Sequence, residues 1–275
     1  MSAWAADEMM TVAAARRLRN GTVCFVGIGL PSKAANLARR THAPACVLVY
    51  ESGTIGAKPA HLPLSIGDGE LAETADAVVS VPEIFAYWLQ GGRIDVGFLG
   101  AAQIDRFGNL NSTVIGEYAH PTVRLPGAGG APEISSGCRE VLVMLRQSPR
   151  TFVECVDFRT SVGLGDGPGF RERHGLGGAG VTSVITDVGV LEPDPRTCEL
   201  TLTALHPGAT VEQARAATGW ALRVADELAE SAPPTATELR ALRELKTTTE
   251  EKQAAESGPG AGQTAVAAIA SSRPA

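Results

Sequence analysis

Short apolar runs closed by glycine, each followed by a helix-like stretch and then by another such run, restrict the fold of this chain more than any other feature. "TVCFVGIG" is too short for a helix and ends in glycines, so it reads as a buried strand. "LPSKAANLARRTH" resumes helical composition with Pro31 and Ser32 at its start, and "ACVLVYES" is a second buried strand. Strand, helix and strand in that order make a βαβ unit, which pairs its strands in parallel and lays helices on the sheet. "IDVGFLGAAQI", "EVLVMLR" and "TFVECVDF" read as further strands, and "VTSVITDVGVLEP" and "ELTLTALHP" as a strand pair around the turn "DPRT". "DEMMTVAAARRLRN", "PEIFAYWLQGG" and "TVEQARAATGW" read as helices, the last with Thr210 as N-cap. The expected class is α/β, an open and mostly parallel sheet with helices on both faces.

Composition narrows the function. A net charge of −6 leaves no basic field to gather nucleic acid. The longest apolar runs fall well short of the ~20 residues of a spanning helix, and "MSAWAADEMM" lacks the basic start of a secretory signal, so no membrane partner is expected and the location read is cytoplasmic. Cys24, Cys46, Cys138, Cys155 and Cys198 show no CxxC or Cys/His spacing and read as reduced core thiols. His42, His61 and His174 read as surface or loop residues and His120 and His206 as loop punctuation, so no metal site is expected. Near Ser231 a Pro-containing linker leads to an exposed, charge-rich helix. From about Ser257 the tail is low in complexity and lacks the large apolar residues that offset ordering entropy. The division read is a domain over 1–245, followed over 246–275 by the charged helix end and a disordered tail.

Four stretches offer chemistry. In "VYESGTIGAKP" a strand runs straight into Glu51, either a strand end meeting solvent or a placed nucleophile or base, since burying an unused carboxylate is costly. "GIGLPS", with Gly27 and Gly29, is either a tight turn or a place where a ligand meets backbone and a helix N-terminus. "GAGG", from Gly127 to Gly130, is either an oxyanion-binding loop or a crossing of two segments. Around "GAAQID" and "GNLNST", Gln103, Asn109 and Asn111 supply amides that orient a polar ligand or serve the turn itself.

Taken together, "GIGLPSKAANLA", "VYESGTIGAKP", "LPLSIGDGELAETAD", "GGRIDVGFLGAAQIDRFGNLNSTVIG" and "LPGAGGAPEI" resemble the β subunits of family I CoA-transferases, collinearly over about residues 6–245. The resemblance implies that Glu51, in the motif Glu51-Ser52-Gly53, attacks the acyl carbonyl of a CoA thioester and then carries CoA as a glutamyl thioester in a ping-pong cycle. Gly129 and Gly130 would donate N–H groups to the tetrahedral intermediate, and Ser52 and Gly53 would leave room for the thioester. Gly27, Gly29, Gln103, Asn109 and Asn111 are further pocket candidates. No cofactor is implied, CoA being substrate. A separate α subunit is implied as partner in a hetero-oligomer, and the nearest likeness, to members acting on 3-oxoadipate, implies transfer from succinyl-CoA in aromatic-compound breakdown. Glutaconate or another dicarboxylic acid, CoA-thioester hydrolysis, and a non-catalytic ligand-sensing module are the alternatives.

Overall fold

The alternation seen in the sequence becomes architecture within the first fifty residues of the computed structural model, which describes residues 3–256. Helix α1 (Ala6–Ala15) leads to β1 (Val23–Phe25), α2 (Leu30–Arg40) and β2 (Val47–Val49), and β1 and β2 pair in parallel with Val23 opposite Val47. A tight turn reverses the chain into β3 (Thr54–Ile55), and α3 (Gly69–Glu73) brings it back as β4 (Ala77–Val78). α4 (Val81–Glu83) runs on into a π-helix, Ile84–Leu89, before β5 (Val96–Leu99). Two small antiparallel ladders follow, β6 (Gln103–Ile104) with β7 (Leu110–Asn111) and β8 (Val114–Gly116) with β9 (Pro121–Arg124). Then come α5 (Ala131–Gly137), β10 (Glu140–Met144) and α6 (Phe170–Arg173). The chain closes with β11 (Val181–Ile185), β12 (Gly189–Pro193), β13 (Leu200–Leu205), α7 (Val211–Ala216), β14 (Arg223–Glu230) and α8 (Ala236–Glu256).

Ten strands form one open sheet in the order β14-β13-β12-β11-β10-β5-β1-β2-β3-β4 among the described residues. Its centre, from β11 to β2, is wholly parallel, and antiparallel pairs flank it on both sides. Successive residues of the central strands go to opposite faces, as the period of two requires. Cys24, Leu48 and Phe98 join the core beneath α1 and α2, while Phe25, Val49 and Leu99 join the core that holds Ile84, Leu89 and Ile134. Both faces are therefore covered, as the sequence indicated.

Some elements differ from the reading. "VTSVITDVGVLEP" is two strands, because the Thr186 hydroxyl accepts the N–H groups of Val188 and Gly189 and closes a hairpin. "TFVECVDF" is no strand; Phe152 makes one isolated bridge to Ile104 and stacks on Trp220, 5.8 Å between centroids, while Cys155 is exposed. Cys155 and half-buried Cys198 are thus not core thiols, unlike Cys24, Cys46 and Cys138. His206 is buried rather than loop punctuation, its ring nitrogens bonding Ser231 Oγ and Thr186 O. No helix among the described residues is long and apolar enough to cross a membrane.

The helix after the linker is not fully exposed either. Leu239, Leu242 and Leu245 sit on one stripe of α8 and are buried against the α1 and α2 side. The helix continues without a break past residue 245 to Glu256; the low-complexity tail, 257–275, lies outside the described residues. Arg16 fixes the start of α8, donating to Glu238 through Nε at 2.8 Å and Nη2 at 2.7 Å and to the carbonyl of Ala232. Burial by itself would raise the Glu238 carboxyl, but the hydrogen bonds from Arg16 and Thr235 outweigh it and hold it at about 2. Because this folded-state value lies below the unfolded one, the contribution is complete above about pH 4.5 and is lost as pH falls through about 2. Acid titrations of urea-induced unfolding should therefore show a loss of stability over that window, and Glu238→Gln should flatten it.

Candidate functional site

Glu51 stands at the corner where β2 turns into β3. Leu48, Val49 and Tyr50 are fully buried and anchor the strand, and the turn over residues 50–53 is closed by the Gly53 N–H donating to the Tyr50 carbonyl at 3.0 Å. Tyr50 belongs to the core under α2, its hydroxyl 3.3 Å from Asn36 Nδ2 and 3.5 Å from Ser32 Oγ, and burial pushes its pKa up. The residue that follows is half-buried at the turn, and no ion pair or hydrogen bond engages its carboxylate among the described residues. A carboxylate held by a rigid strand yet spared any partner is free to react.

Gly53 is required by the turn. Its φ of +104° lies where only glycine rests easily, and a methyl group there would stand 2.0 Å from the Val79 carbonyl oxygen. Val79 in turn donates its N–H to the Gly53 carbonyl at 2.9 Å. That contact fixes the end of β4, and hence the start of the helical segment that follows, against the Glu51 turn. Ser52 Oγ and Thr54 Oγ1, on either side of Gly53, are buried without a hydrogen-bond partner among the described residues.

The glycine-rich loop comes to Glu51. A methyl group at Gly130 would lie 3.4 Å from Glu51 Oε1 and 2.8 Å from two edge carbons of the Phe85 ring. Glu51 and Phe85 therefore both come up to Gly130, and the absence of a side chain at residue 130 makes room for the ring. Gly129 next to it has a φ of +50° and open space around it. No hydrogen bond occupies the N–H of either Gly129 or Gly130 among the described residues. The loop is pinned from behind by Ser112, which accepts the Gly127 N–H at its carbonyl and donates its hydroxyl to the Gly127 carbonyl at 2.8 Å.

The remaining candidates have other positions. Gly27 lies just past β1 near the Phe98 carbonyl, and Gly29, at a φ of +90°, caps α2 and borders a cavity of about 300 Å³ with Lys33, Leu62 and Lys246. The parallel register that sets Phe25 opposite Val49 carries Gly27, two residues on, to the same end of the sheet as Glu51. The three amides sit in hydrogen-bond networks within the chain. Gln103 donates to Asp157 Oδ2 and accepts from Asn111 Nδ2 and the Asp157 N–H; Asn111 also binds the Val114 carbonyl and the Thr113 N–H. Asn109 is wholly buried, donating to Asp105 and to the Gly165 carbonyl and accepting from Gly163 and Gly165. They shape these turns, and Asn109 and Asn111 use both ends of their amides in doing so.

Two contributors lie outside the sequence reading. Phe85 belongs to a stretch that reads only as helix, though the aromatic run in "IFAYWL" marks it. Arg171 is buried and donates to the carbonyls of Gly163 at 2.8 Å, Ser135 at 3.1 Å and Gly178 at 3.3 Å, and also to that of Gly177. It thereby holds α5, and the glycine loop at its head, to the 160s and 170s segments. Arg171→Met would strand these carbonyls, and urea unfolding should register a loss of about 3 kcal/mol.

The coenzyme A transferase family model matches residues 7–217. A 3-oxoadipate CoA-transferase chain from Pseudomonas knackmussii, one of that enzyme's subunits, is 64% identical over 90% of this chain and 96% of its own length. A glutaconate CoA-transferase chain from Acidaminococcus fermentans, likewise a subunit, is 38% identical over 82% of this chain and 86% of its own. The crystal structure of that organism's glutaconate coenzyme A-transferase superposes with a TM-score of 0.82 at 34% identity, covering 88% of this chain and 94% of the other.

Proposed function

The chain belongs to the coenzyme A transferase family, and on that footing we propose that it is the glutamate-bearing subunit of a succinyl-CoA:3-oxoadipate CoA-transferase. The observation that carries this reading is the uncommitted carboxylate of Glu51 facing the open glycine loop at Gly130. The cycle begins when a Glu51 oxygen attacks the succinyl carbonyl, the C–S bond breaks, and CoA leaves as thiolate with a mixed anhydride on Glu51. The thiolate then attacks the Glu51 carbonyl, succinate departs, and the glutamyl-CoA thioester forms. A carboxylate of 3-oxoadipate repeats the two steps in reverse order, leaving Glu51 free and the acid as its CoA thioester.

No proton is gained or lost over the cycle, so the site needs no general base and no cofactor. What it needs is placement and oxyanion stabilisation. The turn supplies the first, and the free N–H groups of Gly129 and Gly130 supply the second, each worth roughly 3 kcal/mol of barrier. The remainder of the pocket comes from a second kind of chain, in keeping with relatives that are themselves named as single subunits of an enzyme, and the pair works in the cytoplasm. Glutaconate is the competing acceptor, favoured by the likeness to the Acidaminococcus chain. The test is kcat/KM for each acid with the chain reconstituted beside its partner: 3-oxoadipate should lead, and equal or better turnover of glutaconate overturns the assignment.

A further inference from the structure

We propose that the Phe85 ring shields the activated acyl group on Glu51 from water and so keeps the site a transferase instead of a hydrolase; this rests on the glutamyl thioester proposed above. The ring edge and Glu51 Oε1 both approach Gly130, at 2.8 Å and 3.4 Å from where a methyl there would sit, so ring and carboxyl border the same glycine. It is backed by Phe25, ring centroids 6.3 Å apart and planes tilted by 59°, and it packs on the core beneath the sheet. Its position is set by the π-helix. The Gln90 N–H donates to the Phe85 carbonyl at 2.9 Å, five residues back, and the wide turn lets Ile84 and Leu89 both reach full burial while Phe85 stays half-exposed at the site. Isolated π turns of this kind re-aim side chains and often mark functional sites.

The chemistry calls for such a shield. The thioester on Glu51 is an electrophile that has to wait for an acid, and water is always present. Attack by water on the Glu51 carbonyl would break the C–S bond, regenerate the carboxylate and release CoA thiol and a proton, wasting the donor. Geometry that activates the carbonyl through Gly129 and Gly130 activates it toward water as well. Selectivity therefore has to come from exclusion, and an apolar ring bordering the same glycine as the reacting carboxyl provides it.

The experiment uses the reconstituted pair of chains. The glutamyl-CoA thioester is formed with succinyl-CoA, freed of small molecules, and its decay is followed without any acid acceptor, beside the rate of transfer when acid is added. Phe85→Ala should raise the ratio of hydrolysis to transfer about tenfold or more, with Phe85→Leu close to the parent and Phe85→Val between them. Any two of these that fold suffice to read the order. An unchanged ratio, with both rates falling together, marks Phe85 as packing only and overturns the shield. If the parent pair forms no thioester, both the shield and the reading beneath it fall, so the two failures are told apart.

Discussion

Glu51→Gln is expected to abolish transfer, lowering kcat by roughly 10⁴-fold or more, while leaving the chain folded. The amide keeps the shape of the carboxylate but is not a nucleophile, and losing a covalent nucleophile typically costs rates of this order. Since no hydrogen bond or ion pair among the described residues depends on the carboxylate, stability should shift by less than about 1 kcal/mol. The measurement is acid-dependent CoA transfer from succinyl-CoA by the reconstituted pair, with circular dichroism to verify folding. Retention of more than a tenth of the parent rate would remove Glu51 from the chemistry.

Gly53→Ala should do nearly as much damage by a different route. The added methyl meets the Val79 carbonyl oxygen at 2.0 Å, and that atom is backbone at the end of a strand ladder, so the turn has to move. The φ of +104° adds strain that only glycine escapes. A displacement of about 1 Å at a reacting atom is enough for a 10²-fold loss, so kcat should fall by about that factor with KM for the donor little changed. Unfolding should become easier by roughly 2–3 kcal/mol. Gly92→Ala is the control for the effect on unfolding, since a methyl there meets open space and only its φ of +66° resists. Equal effects of the two substitutions on unfolding would show that backbone strain, and not the Val79 contact, governs the turn.

Much of this was legible because it rests on local pattern. The apolar, glycine-closed runs around Cys24 and Leu48 have nowhere to go but a two-faced sheet, and Thr210 and Gln213 form the capping box that the residues of α7 announce. Glu51 by itself was ambiguous, and only the order of several motifs gave it a role. What could not be read was long-range or cooperative. β14 is mostly exposed and acidic, so no apolar run announced it, and it exists because β13 offers a parallel edge. The burial of α8 depends on α1 and α2, at the opposite end of the sequence, and its leucine stripe is masked by charges such as Glu238 and Arg243. The partners of Gln103, Asn109 and Asn111 were not legible, because a sequence does not disclose which groups an amide meets. Phe85 was hidden because the π register that brings its ring to Gly130 goes with the burial of Ile84 and Leu89 rather than with any residue preference.

Whether Glu51 carries CoA as a thioester is decided most simply by peptide mapping. The chain and its partner are incubated with succinyl-CoA, treated with borohydride or hydroxylamine, digested and analysed by mass spectrometry. A single modified peptide is expected, with the reduced or hydroxamate side chain at Glu51, formed only when succinyl-CoA is present. Modification at another residue, or none in a pair that is active in transfer, would contradict the covalent role of Glu51.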